Sequence, residues 1–243
     1  PEYVDLFIET FDEINDPMEI QINHIANAIS AFIIKEWTSF DSPFDDYISG
    51  NENALTLTQK KGMDLFFGKG ECSSCHSGQL FTDQKFYALA IPQFGPGRTR
   101  RLDPYTRDVG RMGESDNLVD MYRFKTPSLR NVSLTNPYGH NGAYPTLKGI
   151  VKHHLKPIEM YNRWKPAMAN LPKAGWLEDI DFIVFSDKRE QQRLIKKIDI
   201  DEVELTDKEV DAIISFLYSL TGKTENTRPL GKPSSVPSGL LVD

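Results

Sequence analysis

The chain has 243 residues, 39% hydrophobic and 26% charged, with a formal net charge of −7. That is enough for one sizeable core or two small ones. No run approaches the ~18 apolar residues of a membrane span, and the acidic balance argues against nucleic acid and anionic membranes as main partners while allowing a basic protein partner.

No secretory leader is visible, and the chain starts with Pro1 rather than Met, as expected of a processed product or a piece of something longer. Residues 1–16 are acidic and aromatic. Asp16-Pro17-Met18-Glu19 reads as a helix start, with Asp as N-cap, Pro first in the helix and Glu three residues after the cap. Ile22, Ile25, Ile29, Phe32 and Ile33 then recur at helical spacing and predict one buried face. This helix ends before Asp41-Ser42-Pro43, and residues 41–56 read as a linker with turn chemistry. Thr56-Leu57-Thr58-Gln59 is a capping box opening a helix that carries Leu57, Met63, Leu65, Phe66 and Phe67, stopped by Gly68 and Gly70.

Residues 77–120 are rich in Gly, Pro and charge, and predict loops with short pieces of structure. Arg98, Arg100, Arg101, Arg107 and Arg111 make this stretch locally basic. Residues 146–155 read as helical, and 156–204 alternate Pro breaks with short amphipathic stretches. Thr206-Asp207-Lys208-Glu209 is a second capping box, followed by Val210, Ile213, Ile214, Leu217 and Leu220 on one face and Gly222 as the stop. The tail 223–243 reads as extended or wrapped on another domain. No internal repeat is visible.

Both cysteines fall in one five-residue run, Cys72-Ser73-Ser74-Cys75-His76. Cys-x-x-Cys-His is the attachment pattern of c-type haem. Two cysteines three apart on a short turn reach the two vinyl groups of one porphyrin edge, and the adjacent histidine turns its imidazole to the iron. A thioredoxin-like pair would want a βαβ context, which is missing. A zinc site needs further ligands that no second Cys or nearby His pair supplies. A disulfide across so short a loop would be strained and would leave His76 unexplained. Covalent haem c is installed outside the cytoplasm, so the site implies a periplasmic or equivalent compartment. An early and a late helix flanking such a site fit a mostly α, cytochrome c-like fold with long irregular loops.

Residues 123–142, RFKTPSLRNVSLTNPYGHNG, together with LFFGKGECSSCHSG at 65–78, SPFDDYISG at 42–50 and the last helix, resemble the bacterial di-haem cytochrome c peroxidases and the related MauG-type enzymes. The resemblance covers most of residues 1–222. It implies that residues 1–55 are a helical bridge from a preceding haem domain, 56–222 the C-terminal haem domain and 223–243 an extended tail. In such proteins the N-terminal haem reduces peroxide, and the C-terminal haem receives electrons from a small cytochrome c or cupredoxin. The first haem motif and the peroxide-site glutamate would then belong to an N-terminal domain or partner subunit outside this sequence, with one haem c in this chain. A homodimer is compatible with the resemblance.

Carried over residue by residue, the resemblance makes Cys72 and Cys75 the haem attachment points and His76 the proximal ligand. Thr135 and Pro137 match positions whose backbone carbonyls help hold calcium between the haems, and hard carbonyl oxygens suit that ion. In the peroxidases a Met, and in MauG a Tyr, sits fourteen residues after the His of P-Y-x-H. Counted from His140, this chain has His154 there, in VKHHL. Bis-histidine ligation follows as an expectation, with a lower potential than His/Met; His153, Met160, Tyr161 or an open site are the alternatives. His153 points about 100° away from His154 around a helix, toward the surface or behind the ligand. Arg130 is the preferred propionate or interface arginine, and the arginines at 98–111 either pair with propionates or line a solvated loop. His24 reads as structural, His140 as close to the haem interface, and Trp37, Trp164 and Trp176 as core residues or electron relays.

Three functions compete on this reading. The first is the electron-entry domain of a di-haem peroxidase, and the second a MauG-type oxidase working through high-valent iron. The third is a stand-alone single-haem electron-transfer subunit.

Overall fold

The computed structural model describes residues 2–95, 107–171, 173, 175, 178, 180–223 and 235–241. Two compact units emerge, one of Pro1–Asp41 with Lys223–Asp243 and one of Ser42–Gly222.

In the first unit, α1 (Glu2–Thr10) and α2 (Ile22–Trp37) are helical. The Asp16 capping box is present, but it caps only a 3-10 turn, Pro17–Glu19. The backbone turns extended at Ile20, and the helix proper starts at Ile22. His24 is buried, accepts the Gln21 N–H at Nδ1 (3.1 Å) and packs on Phe11 (5.1 Å), a structural histidine as the sequence suggests. The apolar stripe of α2 differs from the expectation of a buried face. Ile22 is 79% and Ile29 56% exposed, with Ile25, Phe32 and Ile33 also open. A helix buries its stripe only against a second layer, and the other helical elements among the described residues of this unit are α1 and the short turn Pro17–Glu19.

The second unit begins at Ser42, earlier than the expected boundary at 56. Residues 42–55 are not a bare linker. Ser42 and Asp45 form a capping box around α3 (Pro43–Ile48) with Pro43 at its start. Phe44 is buried and its N–H bonds Ser219 O (3.1 Å), which ties α3 to the end of the last helix.

The frame of this unit is a helix crossing. α4 (Leu57–Phe67) starts at the Thr56 capping box and stops at Gly68. The antiparallel pair β1 (Phe86–Tyr87) and β2 (Phe124–Lys125) encloses a short α5 (Met112–Ser115). Then come α6 (Leu147–Leu155), α7 (Pro157–Arg163), α8 (Ile183–Ser186), α9 (Lys188–Lys196) and α10 (Asp207–Tyr218), the last opened by the Thr206 capping box. α10 packs chiefly on α4 and also on α6. The close approach depends on Gly62: a Cβ there would overlap the Ala212 carbonyl and come within 2.9 Å of Phe216 Cβ. Phe44, Phe66, Phe81 and Phe216 meet edge-on or tilted at 5.3–6.2 Å beneath this crossing, a geometry aromatic quadrupoles favour. Val210, Ile213, Leu217 and Leu220 are buried as the spacing predicts.

Candidate functional site

The five-residue motif sits where α4 ends. Gly70 lies so close to Leu65 O, Ile213 Cδ1 and Cys72 Sγ that a Cβ would stand 2.7, 3.3 and 3.4 Å from them. Glu71 then takes a left-handed φ of 54° and launches a 3-10 turn, Cys72–Ser74. His76 N–H closes it by bonding Cys72 O at 2.9 Å, and Asp83 N–H bonds Cys75 O at 2.8 Å. Both cysteines lie half-buried on one turn. Burial pushes the Cys72 thiol up to about 11, so it is a neutral S–H rather than a reactive thiolate.

His76 bonds Phe81 O through Nδ1 at 3.0 Å. A carbonyl only accepts, so Nδ1 carries the proton and Nε2 the lone pair. His154, in the last turn of α6, repeats the pattern with Nδ1 on Ile150 O at 2.9 Å. The two rings lie 6.4 Å apart, centroid to centroid, inclined at 57°. Burial, then the neighbouring His154, lowers His76 to about 4, and burial also lowers His154. Two neutral imidazoles thus share one space, each with an unprotonated Nε2.

This donor set fits a metal held between two histidines. Two metal–nitrogen bonds of about 2 Å end to end, plus the half-width of each ring, span the observed separation. Nδ1–H bonds to backbone carbonyls are the usual orienting partners of ligating histidines.

The other sequence candidates fall as follows. His153 is fully buried rather than at the surface, between Tyr144 Oη and Leu89 O, each at 2.7 Å. Burial lowers it to about 4. Tyr161 lies in a separate cluster with Tyr122 and Leu194, while Met160 packs on the main core. Arg130, expected at a propionate or an interface, reaches both Asp45 oxygens through Nη1 (2.8 and 2.6 Å) and Gln79 O through Nε (2.8 Å). Its guanidinium fastens α3 to the run 123–142.

Arg107 pairs with the buried Glu190, and Arg111 with Asp120. Arg98, Arg100, Arg101, Trp176 and the Trp37 side chain lie outside the described residues. Trp164 is buried, stacks on Phe94 (5.3 Å) and donates to Ala143 O (2.8 Å). His140 is exposed, 2.8 Å from Asp108 Oδ2 and stacked on Phe124 at 3.8 Å. Thr135 and Pro137 are exposed on either side of Asn136. Among the described residues no group of three or more His, Cys, Asp or Glu gathers as a metal site.

The sequence reading missed the partnership of Tyr144 with His153 and of Asp45 with Arg130. Neither pair is periodic with the other, so no local pattern could announce them.

No family model matches the chain. A cytochrome-c peroxidase, IdrP1, of a Pseudomonas species is 34% identical over 173 residues, 62% of this chain and 44% of that one. The methylamine utilization protein MauG of Methylophilus methylotrophus is 29% identical over 187 residues, 75% of this chain and 50% of that one. The crystal structure of the diheme peroxidase BthA of Burkholderia thailandensis superposes with a TM-score of 0.56 at 25% identity, over 86% of this chain and 52% of that one. The chain thus spans about half the length of these relatives, or less.

Proposed function

We propose that this relative of the di-haem cytochrome c peroxidases and MauG proteins is the electron-entry portion of such an enzyme: a c-type haem domain that takes electrons singly from a small cytochrome or cupredoxin and passes them to a peroxide-reducing haem. That second haem would be held by another domain or subunit. A haem at this site would supply one-electron iron chemistry. Cys72 and Cys75 would attach it through thioethers, and His76 and His154 would hold its iron. Phe81 O and Ile150 O hold the two imidazoles in the tautomer that presents Nε2.

The observation that carries the reading is the pair of neutral histidines 6.4 Å apart. If His76 and His154 both held the haem iron, the chain would suit a conduit better than a peroxide-reacting centre. The core aromatics Phe66, Phe81 and Phe216 exclude water from one side of the motif. The carbonyls of Thr135 and Pro137 are proposed to contribute to a calcium site completed by other residues. Haem c attachment implies an extracytoplasmic location; no helix of the described residues is long and apolar enough to cross a membrane.

Mixing the oxidised full chain, haem loaded, with a reduced small cytochrome or cupredoxin tests this. The haem is expected to become reduced, with no peroxide consumption by the chain alone. Rapid peroxide turnover by the chain alone would overturn it.

The likeness to a MauG protein over 75% of this chain favours a second reading, a MauG-type oxidase acting on a protein or a small molecule. That reading predicts a peroxide-induced spectrum that persists without donor.

A further inference from the structure

We infer that Tyr144 and His153 are positioning residues, a buried brace that sets the rotation of the last turn of α6 so that His154 faces His76. The inference rests on the reading that His154 ligates haem iron.

The hydrogen bonds permit one arrangement. Leu89 O only accepts, so His153 Nε2 must carry the proton. Nδ1 is then a lone pair, and Tyr144 Oη donates to it. Both side chains are 0% exposed, so no water competes for these groups. The imidazole therefore has one tautomer and one orientation, with both nitrogens satisfied.

Both ends of the brace are themselves anchored. The Tyr144 backbone exchanges two hydrogen bonds with Tyr138, at 2.7 and 3.0 Å. Its ring lies against Gly149 inside α6, where a Cβ would stand 2.9 Å from Tyr144 Cδ1. On the other side Leu89 is continuous with Ala88, whose N–H and carbonyl both bond Asp199 (2.8 and 3.2 Å). α6 is thus clamped between two fixed pieces of backbone. Adjacent helical residues point about 100° apart, so fixing the direction of His153 fixes that of His154. The Nδ1 bond of His154 lies within its own helix, to Ile150 O, and orients the ring without orienting the helix.

Two buried polar side chains are an expensive way to fill a core, since each must be satisfied; an apolar pair would fill it as well. Orientation is what they add, and orientation predicts an effect on the haem rather than on stability alone.

The test uses the full haem-loaded chain and reads electron paramagnetic resonance and midpoint potential. Tyr144→Phe removes only the hydroxyl, and His153→Phe removes both bonds. The expected result is a partial loss of the low-spin signal in favour of high-spin in the first variant and a larger loss in the second, with the potential rising in the same order. His153→Gln keeps one donor and one acceptor and is expected to restore the parent spectrum. An unchanged low-spin signal and potential in both Phe variants would overturn the inference, as would His153→Gln behaving like His153→Phe. His154→Ala in the same series separates the two failures: if that variant keeps the parent signal, the ligand assignment itself is wrong.

Discussion

His76 and His154 lie far apart in the chain, yet their imidazoles are 6.4 Å apart, each anchored through Nδ1 to a backbone carbonyl. One histidine closes a 3-10 turn after α4 and the other ends α6. What brings them together is the packing of α10 against both helices.

If Cys72 and Cys75 each form a thioether, either one alone still tethers the haem. Cys72→Ala and Cys75→Ala are therefore each expected to keep haem through a denaturing gel, and the double variant to lose it. Haem staining that survives in the double variant would contradict covalent attachment at this motif.

Arg130 and Asp45 are a largely buried ion pair, with side chains 9% and 11% exposed. Burial pushes the Asp45 carboxyl up, but hydrogen bonds from Arg130 and Ser42 outweigh it and hold it below the usual carboxylate value. Removing one partner strands the other charge, so Arg130→Ala should cost about 3 kcal/mol in urea unfolding. A loss under about 1 kcal/mol would make it an ordinary surface pair.

Lys69 bonds Glu209 at 2.7 Å and links the end of α4 to the first turn of α10. That bond, with those from Thr206, lowers the Glu209 carboxyl from 4.5 to about 2. The fold therefore favours the ionised form. Its contribution is fully present above pH 4.5 and is lost as pH falls toward 2. Urea midpoints measured across that range should fall, and Lys69→Met should flatten the slope. An identical slope in the variant would remove Lys69 as the cause.

Gly62→Ala places a methyl group against the Ala212 carbonyl and Phe216. The helices must separate, at a cost of about 1–3 kcal/mol or more. Thermal unfolding should show a clear drop, whereas the exposed Lys61→Ala stays within ~0.5 kcal/mol of the parent. Equal melting of the two variants would mean that α4 and α10 tolerate a wider crossing.

Much of this was legible because it is local. The capping boxes at Thr56 and Thr206 open α4 and α10 where their spacing says, and the apolar face of α10 is buried as its period predicts. The count from His140 to position 154 reached the residue that faces His76. Other features depend on tertiary context. The Asp16 box is as good a sequence pattern as the Thr206 box, yet it caps only a 3-10 turn. Ser42 and Asp45 also spell a capping box, hidden by the turn residues that follow. For His153 the sequence left open the surface or a place behind His154, and the burial that decides between them comes from Tyr144 and the distant Leu89. Arg130 meets a carboxylate, as an arginine there should, but it is Asp45.

The most direct test of the central claim is low-temperature electron paramagnetic resonance of the oxidised full chain, with haem quantified on the same sample, beside His154→Ala. The account predicts one low-spin haem per chain in the parent and a high-spin haem in the variant. A high-spin parent, or a low-spin signal untouched by the substitution, would contradict it.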